Sequence, residues 1–339
     1  MIITKTPFRI SFAGGGSDIA DFYREYGGCV LSTSINRYMY LTIHPYFNEH
    51  QTCLRYSQTE IVNNISEIQH SIFKQVLQNE AIEGVEISST ADVPSGTGLG
   101  SSSAFTVGLL HTLYCYKNQY VPKEIIAKEA CKVEIEQLGN PIGKQDQYAS
   151  ACGGLNFIEF SKDDTVRVSP IIMKKETRNQ LEKNLIMFYT GITHNANTIL
   201  AEQKRNIAQN NNDNHSKIEN LNQMCELAKQ MKLALESNDI KNFGYMLHEG
   251  WMRKKELAKS ISNPKIDELY RVAIENGAVG GKLLGAGGGG FLLFYCEEIK
   301  QKKLEEALGL KRFHFKFEND GTSVVYIGNT YWETEKSKI

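Results

Sequence analysis

A run of glycine and serine between positions 94 and 103 has the composition best suited to binding an anion. Glycines at alternate positions leave backbone N–H groups open to a phosphate, and a following helix would add unpaired N–H groups and its positive dipole end. Serine hydroxyls can cap that helix, bind phosphate oxygens or ligate Mg²⁺. A glycine-rich turn with a serine cap would show the same local pattern. The residues that we assign to phosphate binding are Pro94, Gly96, Gly98, Leu99, Gly100, Ser101, Ser102 and Ser103.

This run matches neither of two common phosphate-loop patterns. It lacks the spacing GxxxxGK[ST] and the spacing GxGxxG, and Lys117 stands too far along the chain to act as a P-loop lysine. Whether the run binds phosphate therefore has to be judged from the strands and helices around it.

Those elements are predicted on both sides of the run. Residues typical of strands concentrate in four segments of the first half, namely Ile2–Ala13, 29–44, Val85–Ala91 and Leu155–Phe160. Helical spacing of apolar residues marks 104–116 and 123–138. The glycine and serine run thus lies between a strand and a helix, as binding at a helix N-terminus requires.

The second half predicts a helix-rich unit. Long helices are expected at 195–209, 216–236, 239–260 and 264–276, with a polar loop at 210–214. Strands are expected at 291–296, 313–317 and Ser323–Ile327, with a helix near 300–308. The chain turns polar between 161 and 167, where we place the crossing from domain 1–165 to domain 166–339. This order of elements predicts an α+β second domain.

The composition excludes several classes of protein. A chain of 339 residues is too long for a small binding module and suits two domains. With 38 Lys and Arg against 39 Asp and Glu, we expect neither a nucleic acid nor a membrane as partner. Without a signal-peptide pattern or a long apolar run, the protein is expected in the cytoplasm. Seven scattered cysteines are typical of reduced thiols rather than of disulfides or a zinc site.

Four motifs in order along the chain resemble those of the GHMP kinases. The run at 94–104 resembles the family's phosphate loop, and 6–18 is similar to its opening segment. Residues 134–147, which read Glu-x4-Gly-x-Pro-x-Gly-x2-Asp-Gln, resemble the stretch that carries catalytic acids in the sugar kinases, and 280–290 is similar to a third glycine-rich motif. The resemblance implies a two-domain α+β fold, with a mixed β/α N-terminal domain, a ferredoxin-like, helix-rich C-terminal domain and the active site in the cleft between them. It also implies an enzyme that uses ATP and Mg²⁺.

The resemblance implies roles for individual residues. Asp146 matches the family's catalytic aspartate, which takes the proton of the acceptor hydroxyl, and Arg9 matches its basic partner. Ser102 and Glu134 match the usual Mg²⁺ ligands, whereas Glu136 would face away from the same ion because it lies about 200° further round a helix. Sugar binding would fall to Asp18 and to glycines of the first and third motifs: Gly14, Gly15, Gly16, Gly287 and Gly288.

The expected partner is a small sugar phosphate. Asp18 matches the acidic residue that binds sugar hydroxyls in galactokinase-like members, and carboxylates bind vicinal diols well. Gly15 and Gly16 stand where galactokinases have larger polar residues, which implies a larger or differently oriented sugar. The run 9–18, with 27–35 and 191–193, is similar to bacterial kinases that phosphorylate the anomeric hydroxyl of D-glycero-D-manno-heptose 7-phosphate on the way to a GDP-activated heptose. Candidates for binding the 7-phosphate are Arg37, Lys144, His194 and Lys282.

Two other functions stay open at this point. An unphosphorylated sugar such as L-fucose or galactose could be bound by the same first domain. A non-catalytic sensor of ATP and sugar would need damage at Asp146, Glu134 or Ser102, and the sequence shows none. No oligomeric state is predicted.

Overall fold

The computed structural model describes residues 1–192, 196–208 and 212–328. Within these residues the chain forms two β-sheets packed with helices. The strands are β1 (Ile2–Ala13), β2 (Gly28–Pro45), β3 (Thr52–Arg55), β4 (Thr59–Val62), β5 (Val85–Ala91), β6 (Leu155–Phe160), β7 (Val166–Pro170), β8 (Leu185–Tyr189), β9 (Gly280–Leu283), β10 (Phe291–Tyr295), β11 (Arg312–Phe313), β12 (Phe317–Glu318) and β13 (Ser323–Ile327).

The helices occupy the segments between these strands. They are α1 (Ala20–Tyr26), α2 (Ser71–Glu80), α3 (Ser101–Tyr116), α4 (Lys123–Cys131), α5 (Gln145–Cys152), α6 (Lys175–Asn184), α7 (Ala196–Ala208), α8 (Asn212–Glu236), α9 (Phe243–Lys255), α10 (Pro264–Glu275) and α11 (Glu298–Leu308). A π-helical turn at Lys132–Gln137 continues α4, and short 3-10 turns lie at Ile65–Glu67 and Lys259–Ile261.

The larger sheet is built around the long strand β2. Its order is β13-β1-β2-β5-β3-β4, and β6 and β12 also pair with β2. One edge of β2 pairs with β1, while the other edge pairs first with β6 and then with β5. The second half of β1 is buried throughout, which fits a strand covered on both faces. Arg9, in that half, is therefore held in a rigid setting.

The smaller sheet has the antiparallel order β11-β8-β10-β9. Strand β10 is fully buried, and the helices α6 and α9 pack against this sheet. The sheet and its helices form the α+β second part that the sequence predicts. The predicted α+β architecture, with a mixed-sheet N-terminal part and a helix-rich C-terminal part, is confirmed.

Helix α3 lies at the centre of the first part and contacts β1, β2 and α5. It is apolar nearly all round because these elements surround it. The close approach to β1 requires a glycine, since a Cβ at Gly108 would lie 2.8 Å from Thr6 Oγ1. A buried hydrogen bond of 2.6 Å between Thr4 Oγ1 and Thr112 Oγ1 joins the same two elements. These contacts hold the second half of α3 against β1.

Several predicted boundaries differ from the structure. The polar segment 161–167 is not where the chain leaves the first sheet, because it forms the turn and the first residues of the hairpin β6–β7. The loop predicted at 210–214 is wrong in its last residues, since α8 begins at Asn212, and 210–211 lie outside the described residues. The helix predicted at 239–260 ends as α9 at Lys255. The strand predicted near 313–317 is instead two short strands, β11 and β12, in different sheets.

The division into domains 1–165 and 166–339 stays a prediction. Strand β7 continues the large sheet beyond residue 165, and β12 and β13 return to it near the end of the described chain. None of the helices in the described ranges has the length and hydropathy needed to cross a membrane.

Candidate active site

The glycine and serine run connects β5 to α3 and lines a cavity of about 830 Å³. Ser101, Ser102 and Ser103 form the first turn of α3 rather than a loop before it, so the unpaired N–H groups of that turn lie at the run itself. Residues of the run that line the cavity are Pro94, Ser95, Gly96, Gly98, Gly100, Ser101, Ser102 and Ser103, of which the sequence reasoning had not assigned Ser95. Leu99 is instead buried, and its carbonyl accepts a hydrogen bond of 3.1 Å from Arg9 N.

Arg9 and Asp146 form a two-pronged ion pair at the end of this run. Arg9 Nε and Nη2 donate to the two carboxylate oxygens of Asp146, each at 2.7 Å. Arg9 Nη1 donates to the Gly98 carbonyl, also at 2.7 Å. The Arg9 side chain is 5% exposed and that of Asp146 is 24% exposed, so the carboxylate keeps an open side toward the cavity. The pair is rigid because a guanidinium fork fixes a carboxylate in its plane.

Glu134 lies beside this pair on the π-helical turn. One of its oxygens accepts from Ser102 Oγ at 2.7 Å and the other from Gln147 Nε2 at 2.7 Å. Burial raises the pKa of Glu134, although hydrogen bonds from Ser102, Gln147 and Ser103 act in the opposite direction. Glu136 is exposed, as predicted from its helical position. The π turn places Glu134 inward, as such turns often do at functional sites.

Asp18 is buried in the cavity wall beside Gln145, the residue that precedes Asp146. Its carboxylate accepts hydrogen bonds from Gly16 N at 2.9 Å and from Gln145 N and Nε2 at 3.1 Å. Burial raises the pKa of Asp18, and the nearby charge of Asp146 raises it further. Gly143 must be glycine here, because a Cβ would lie 1.9 Å from Asp18 Oδ2.

Unpaired polar atoms lie close to Asp18. Ser11 Oγ and Gln145 Oε1 are buried and have no hydrogen-bond partner among the described residues. A Cβ at Gly15 would lie 3.6 Å from Ser11 Oγ and 3.5 Å from Gln145 Nε2, so both side chains flank that glycine. Gly15 and Gly16 line the cavity, whereas Gly14 packs against the Cys29 carbonyl behind them.

The third glycine-rich motif touches the first. A Cβ at Gly285 would lie 2.4 Å from Gly98 Cα, so the two backbones are in direct contact. Gly287 lines the cavity. Gly288 is used to hold the motif in place, since its N–H donates to the Ile261 carbonyl at 2.8 Å and its carbonyl accepts from Asn263 Nδ2 at 3.0 Å.

Two buried lysines line the wall that the second part contributes. Lys282 Nζ donates to the carbonyls of Ser11 and Phe12 at 2.7 and 3.1 Å. Lys254, on α9, donates to the Gly285 carbonyl at 2.6 Å. Burial lowers the pKa of both ammonium groups, that of Lys254 to about 8. The sequence reasoning missed Lys254, because it stands between Arg253 and Lys255 in what reads as a solvated charge run.

The other cations proposed for a substrate phosphate are held elsewhere. Arg37 donates to the carbonyls of Asn36 and His314. Lys144 pairs with Asp164 at 2.9 Å. His194 lies outside the described residues. Of the four candidates, only Lys282 is described at the cavity wall.

Aromatic side chains that the sequence reasoning did not assign also line the cavity. They are Tyr56, His70 and Phe105, with ring centroids 4.8 Å apart for Tyr56 and His70 and 5.2 Å apart for His70 and Phe105. Flat apolar rings at the end of a phosphate loop can hold a nucleobase by stacking. Their positions 56, 70 and 105 are too far apart in sequence to form a recognisable motif.

Comparison with known proteins identifies the family. The description "GHMP kinases N terminal domain" matches residues 63–154, and "GHMP kinases C terminal" matches 231–314. The D-glycero-alpha-D-manno-heptose 7-phosphate kinase of Campylobacter jejuni is 32% identical over 91% of this chain and 93% of its own length. The galactokinase of Pyrococcus furiosus is 26% identical over 93% of this chain and 94% of its own.

Solved structures of sugar kinases have the same fold as this chain. A D-glycero-D-manno-heptose 1-phosphate kinase from Bacteroides thetaiotaomicron superposes with a TM-score of 0.79 at 26% identity, over 97% of this chain and 100% of that one. A sugar kinase from Campylobacter jejuni, described as putative, gives a TM-score of 0.75 at 29% identity, over 96% and 98%. Matches in both halves and a full-length relative show that this chain belongs to the GHMP kinase family, whose members take the phosphoryl group from ATP.

Proposed function

We propose that this protein transfers the γ-phosphate of ATP to the anomeric hydroxyl of D-glycero-D-manno-heptose 7-phosphate and forms the 1,7-bisphosphate, a step toward GDP-heptose for surface polysaccharide. The observation that carries the proposal is the Arg9–Asp146 pair, with both bonds at 2.7 Å, at the helix end of the glycine and serine run. A full-length relative at 32% identity, named as a heptose 7-phosphate kinase, supports this choice of sugar.

Asp146 is proposed as the general base. Arg9 holds the carboxylate in a fixed orientation, and the open side of Asp146 faces the cavity. An anomeric hydroxyl is more acidic than the other hydroxyls of a sugar, so a carboxylate can remove its proton as the bond to phosphorus forms. Phosphoryl transfer otherwise depends on alignment and on neutralised charge, which Arg9 and the N–H groups of α3 can supply.

Ser102 and Glu134 are proposed to hold Mg²⁺. Both offer oxygen ligands, and the groups that hydrogen-bond the buried Glu134 carboxylate are hydroxyls and an amide, which leave its charge without compensation. A hard divalent cation would provide that compensation. When bound, Mg²⁺ would neutralise charge on the β- and γ-phosphates. Ser102 can bind a metal through an oxygen lone pair while its O–H still donates a hydrogen bond to Glu134.

The sugar is proposed to bind at the end of the cavity formed by Asp18, Gly15 and Gly16. Ser11 Oγ and Gln145 Oε1, which have no partners in the described part of the chain, can accept hydrogen bonds from sugar hydroxyls there. A buried polar atom left unpaired costs roughly 1–3 kcal/mol, so a polar ligand is favoured over an apolar one. Gly287 of the third motif is proposed to close the same end.

The test is release of ADP with a panel of acceptors: heptose 7-phosphate, the same heptose without phosphate, galactose and L-fucose. We expect turnover with heptose 7-phosphate at least roughly 100-fold above that with the other sugars, because the phosphate adds charged contacts. Chelation of Mg²⁺ should stop the reaction. Phosphorus NMR of the product should show a new phosphate on C1.

Higher turnover with galactose or L-fucose than with heptose 7-phosphate would contradict the proposed substrate while leaving a sugar kinase in place. A protein that consumes no ATP with any acceptor would contradict the kinase function and favour a sensor.

A further inference from the structure

Among the Arg and Lys side chains that line the cavity in the described part of the chain, Lys254 uses the smallest share of its N–H donors. Arg9 donates three of its five N–H groups to Asp146 and Gly98, and Lys282 donates to two carbonyls with its three. Lys254 is only 7% exposed, and its ammonium group has one hydrogen-bond partner among the described residues, the Gly285 carbonyl. An ammonium group has three N–H donors, so up to two are free to bind a ligand.

The position of Lys254 indicates which ligand its free N–H donors would bind. Its partner Gly285 touches Gly98 of the phosphate loop, so the ammonium group lies where the two glycine-rich motifs meet. The charged groups that act on it from neighbouring elements are Arg9, Asp18, Asp146 and Lys282. Arg9 and Asp146 are also the residues beside which phosphoryl transfer from ATP to the sugar is proposed to occur.

We infer that Lys254 is a further catalytic residue, which donates hydrogen bonds to the terminal phosphate of ATP from the part of the wall that the second part of the chain contributes. The inference rests on the proposed function only in requiring ATP as the donor. Two N–H donors aimed at the phosphoryl oxygens would stabilise the charge that they carry during transfer. The bond to Gly285 would hold the ammonium group in place between turnovers.

Protonation provides a readout that a purely structural lysine would not give. Burial and the positive charge of Arg9 disfavour the ammonium form, the carboxylates of Asp18 and Asp146 act in the opposite direction, and the pKa of Lys254 is about 8 in the protein alone. A bound phosphate would raise that pKa again, so a protein that is half deprotonated at pH 8 must take up a proton on binding. We expect uptake of up to about half a proton per nucleotide at pH 8.

The experiment is calorimetric titration of the full chain with Mg²⁺ and ATPγS, without sugar, in buffers of different ionisation enthalpy. The variants are Lys254→Met, Lys254→Arg and, as a matched control on the same helix, Lys255→Met. Wild type and Lys255→Met should take up the proton at pH 8, whereas both Lys254 variants should not. The uptake should be smaller with ADP, which lacks the terminal phosphate. Heptose 7-phosphate alone should cause none.

Turnover gives the second readout. Lys254→Met should lower kcat on the order of 100-fold, as loss of one donor to the reacting group does in other enzymes. In wild type, kcat/KM for ATP should fall above about pH 8, about tenfold per pH unit once Lys254 is deprotonated. Lys254→Arg, which keeps the charge, should retain part of the activity and lose this alkaline fall.

Three results would overturn the inference. The first is equal proton uptake by wild type and Lys254→Met, which assigns the proton to another group. The second is uptake with heptose 7-phosphate but not with ATPγS, which places a different phosphate at Lys254. The third is an unchanged alkaline limb in Lys254→Arg. Because the titration contains no sugar, it remains decisive even if the proposed sugar is wrong.

Discussion

Asp146 combines two properties that a general base in a phosphate-rich site requires. Arg9 binds both of its oxygens and fixes their orientation, while about a quarter of the side chain stays open to the cavity. Glu134, which precedes Asp146 in the same motif, lies in a different environment. It is fully buried, and the side chains that hydrogen-bond to it are neutral. The two carboxylates therefore suit different tasks, proton transfer and metal binding.

Replacement of Asp146 by asparagine tests the first task. Asparagine keeps the size of the side chain but cannot take a proton, so Asp146→Asn should lower kcat with heptose 7-phosphate by at least roughly 100-fold. Steady-state kinetics with the purified variant measures this. Asp164→Asn is the control, because Asp164 also pairs with cations, Arg24 and Lys144, but outside the cavity. Near-normal turnover of Asp146→Asn would refute its role as base.

Residues of the site could be predicted from sequence where they stand in contiguous motifs. Asp146 and the serines at the start of α3 stand in such motifs, and the structure brings them to one cavity. Lys254, Ser11 and Gln145 carry no such signal. Their roles arise from what faces them in the fold: a carbonyl from a distant glycine loop for Lys254, and an empty Gly15 side-chain position for the other two.

At the scale of elements, the site depends on contact between two glycine-rich segments. Gly98 follows β5 and Gly285 follows β9, so the first and second parts of the chain meet there through backbone alone. A side chain on either residue would force the segments apart, and Lys254 would move with Gly285.

The variant Gly285→Ala should therefore damage catalysis more than stability. Its φ of +79° costs an alanine about 1–2 kcal/mol, and the added Cβ would lie 2.4 Å from Gly98 Cα. We expect kcat/KM for ATP to fall at least about tenfold, since misplacing reacting groups by about 1 Å has effects of up to about 100-fold. Gly309→Ala is the matched control, because its φ is +59° and no atom lies within 4 Å of an added Cβ. Equal kinetic losses in the two variants would mean that contact between the segments does not matter.

Elements with a clear local pattern were predicted closely. The bounds of β1, β5 and β6 are those expected, because alternating or β-branched residues fill each strand between turn residues. Strand β8 and helix α5 were not predicted. The five apolar residues of β8 fit a buried helix segment equally well, and only the pairing with β10 and β11 decides the matter. Helix α5 has eight residues, too few for its apolar spacing to be read as a period.

At the scale of the whole molecule, the end of the described chain completes the first sheet. Thr322, just before β13, places its hydroxyl 2.9 Å from Thr6 Oγ1 on β1 and 2.8 Å from His111 Nδ1 on α3. Three segments far apart in sequence thus share one buried hydrogen-bond cluster. The sequence reasoning did not predict that the chain returns to the first sheet after residue 316, because nothing in the local composition marks this return.

This cluster should make stability depend on pH. Burial lowers the pKa of His111 to about 4, below the value of about 6.5 in an unfolded chain, so between these pH values the unfolded chain binds more protons. Stability from neutral His111 is therefore complete above about pH 6.5 and is lost as pH falls toward 4, by up to about 3 kcal/mol.

Denaturant unfolding at pH 7 and pH 5 measures the effect. His111→Gln should lose less stability between these pH values than wild type, whereas His50→Gln, at an exposed position, should behave like wild type. His70, which is partly buried and also has a lowered pKa, is present in all three proteins, so its contribution to the pH dependence is the same in each. Equal pH dependence in wild type and His111→Gln would exclude His111 as the source.

The pairing of β13 with β1 joins Ile2 to Ile327 and so spans almost the whole described chain. During synthesis on a ribosome, the outer edge of β1 has no strand to pair with until β13 has emerged. Arg9 lies on that same strand, and the Gly285 segment that covers it is also made late. A nascent chain therefore cannot assemble the phosphate site early, and an incomplete polypeptide released by premature termination would carry an open sheet edge as a signal for chaperones or proteases.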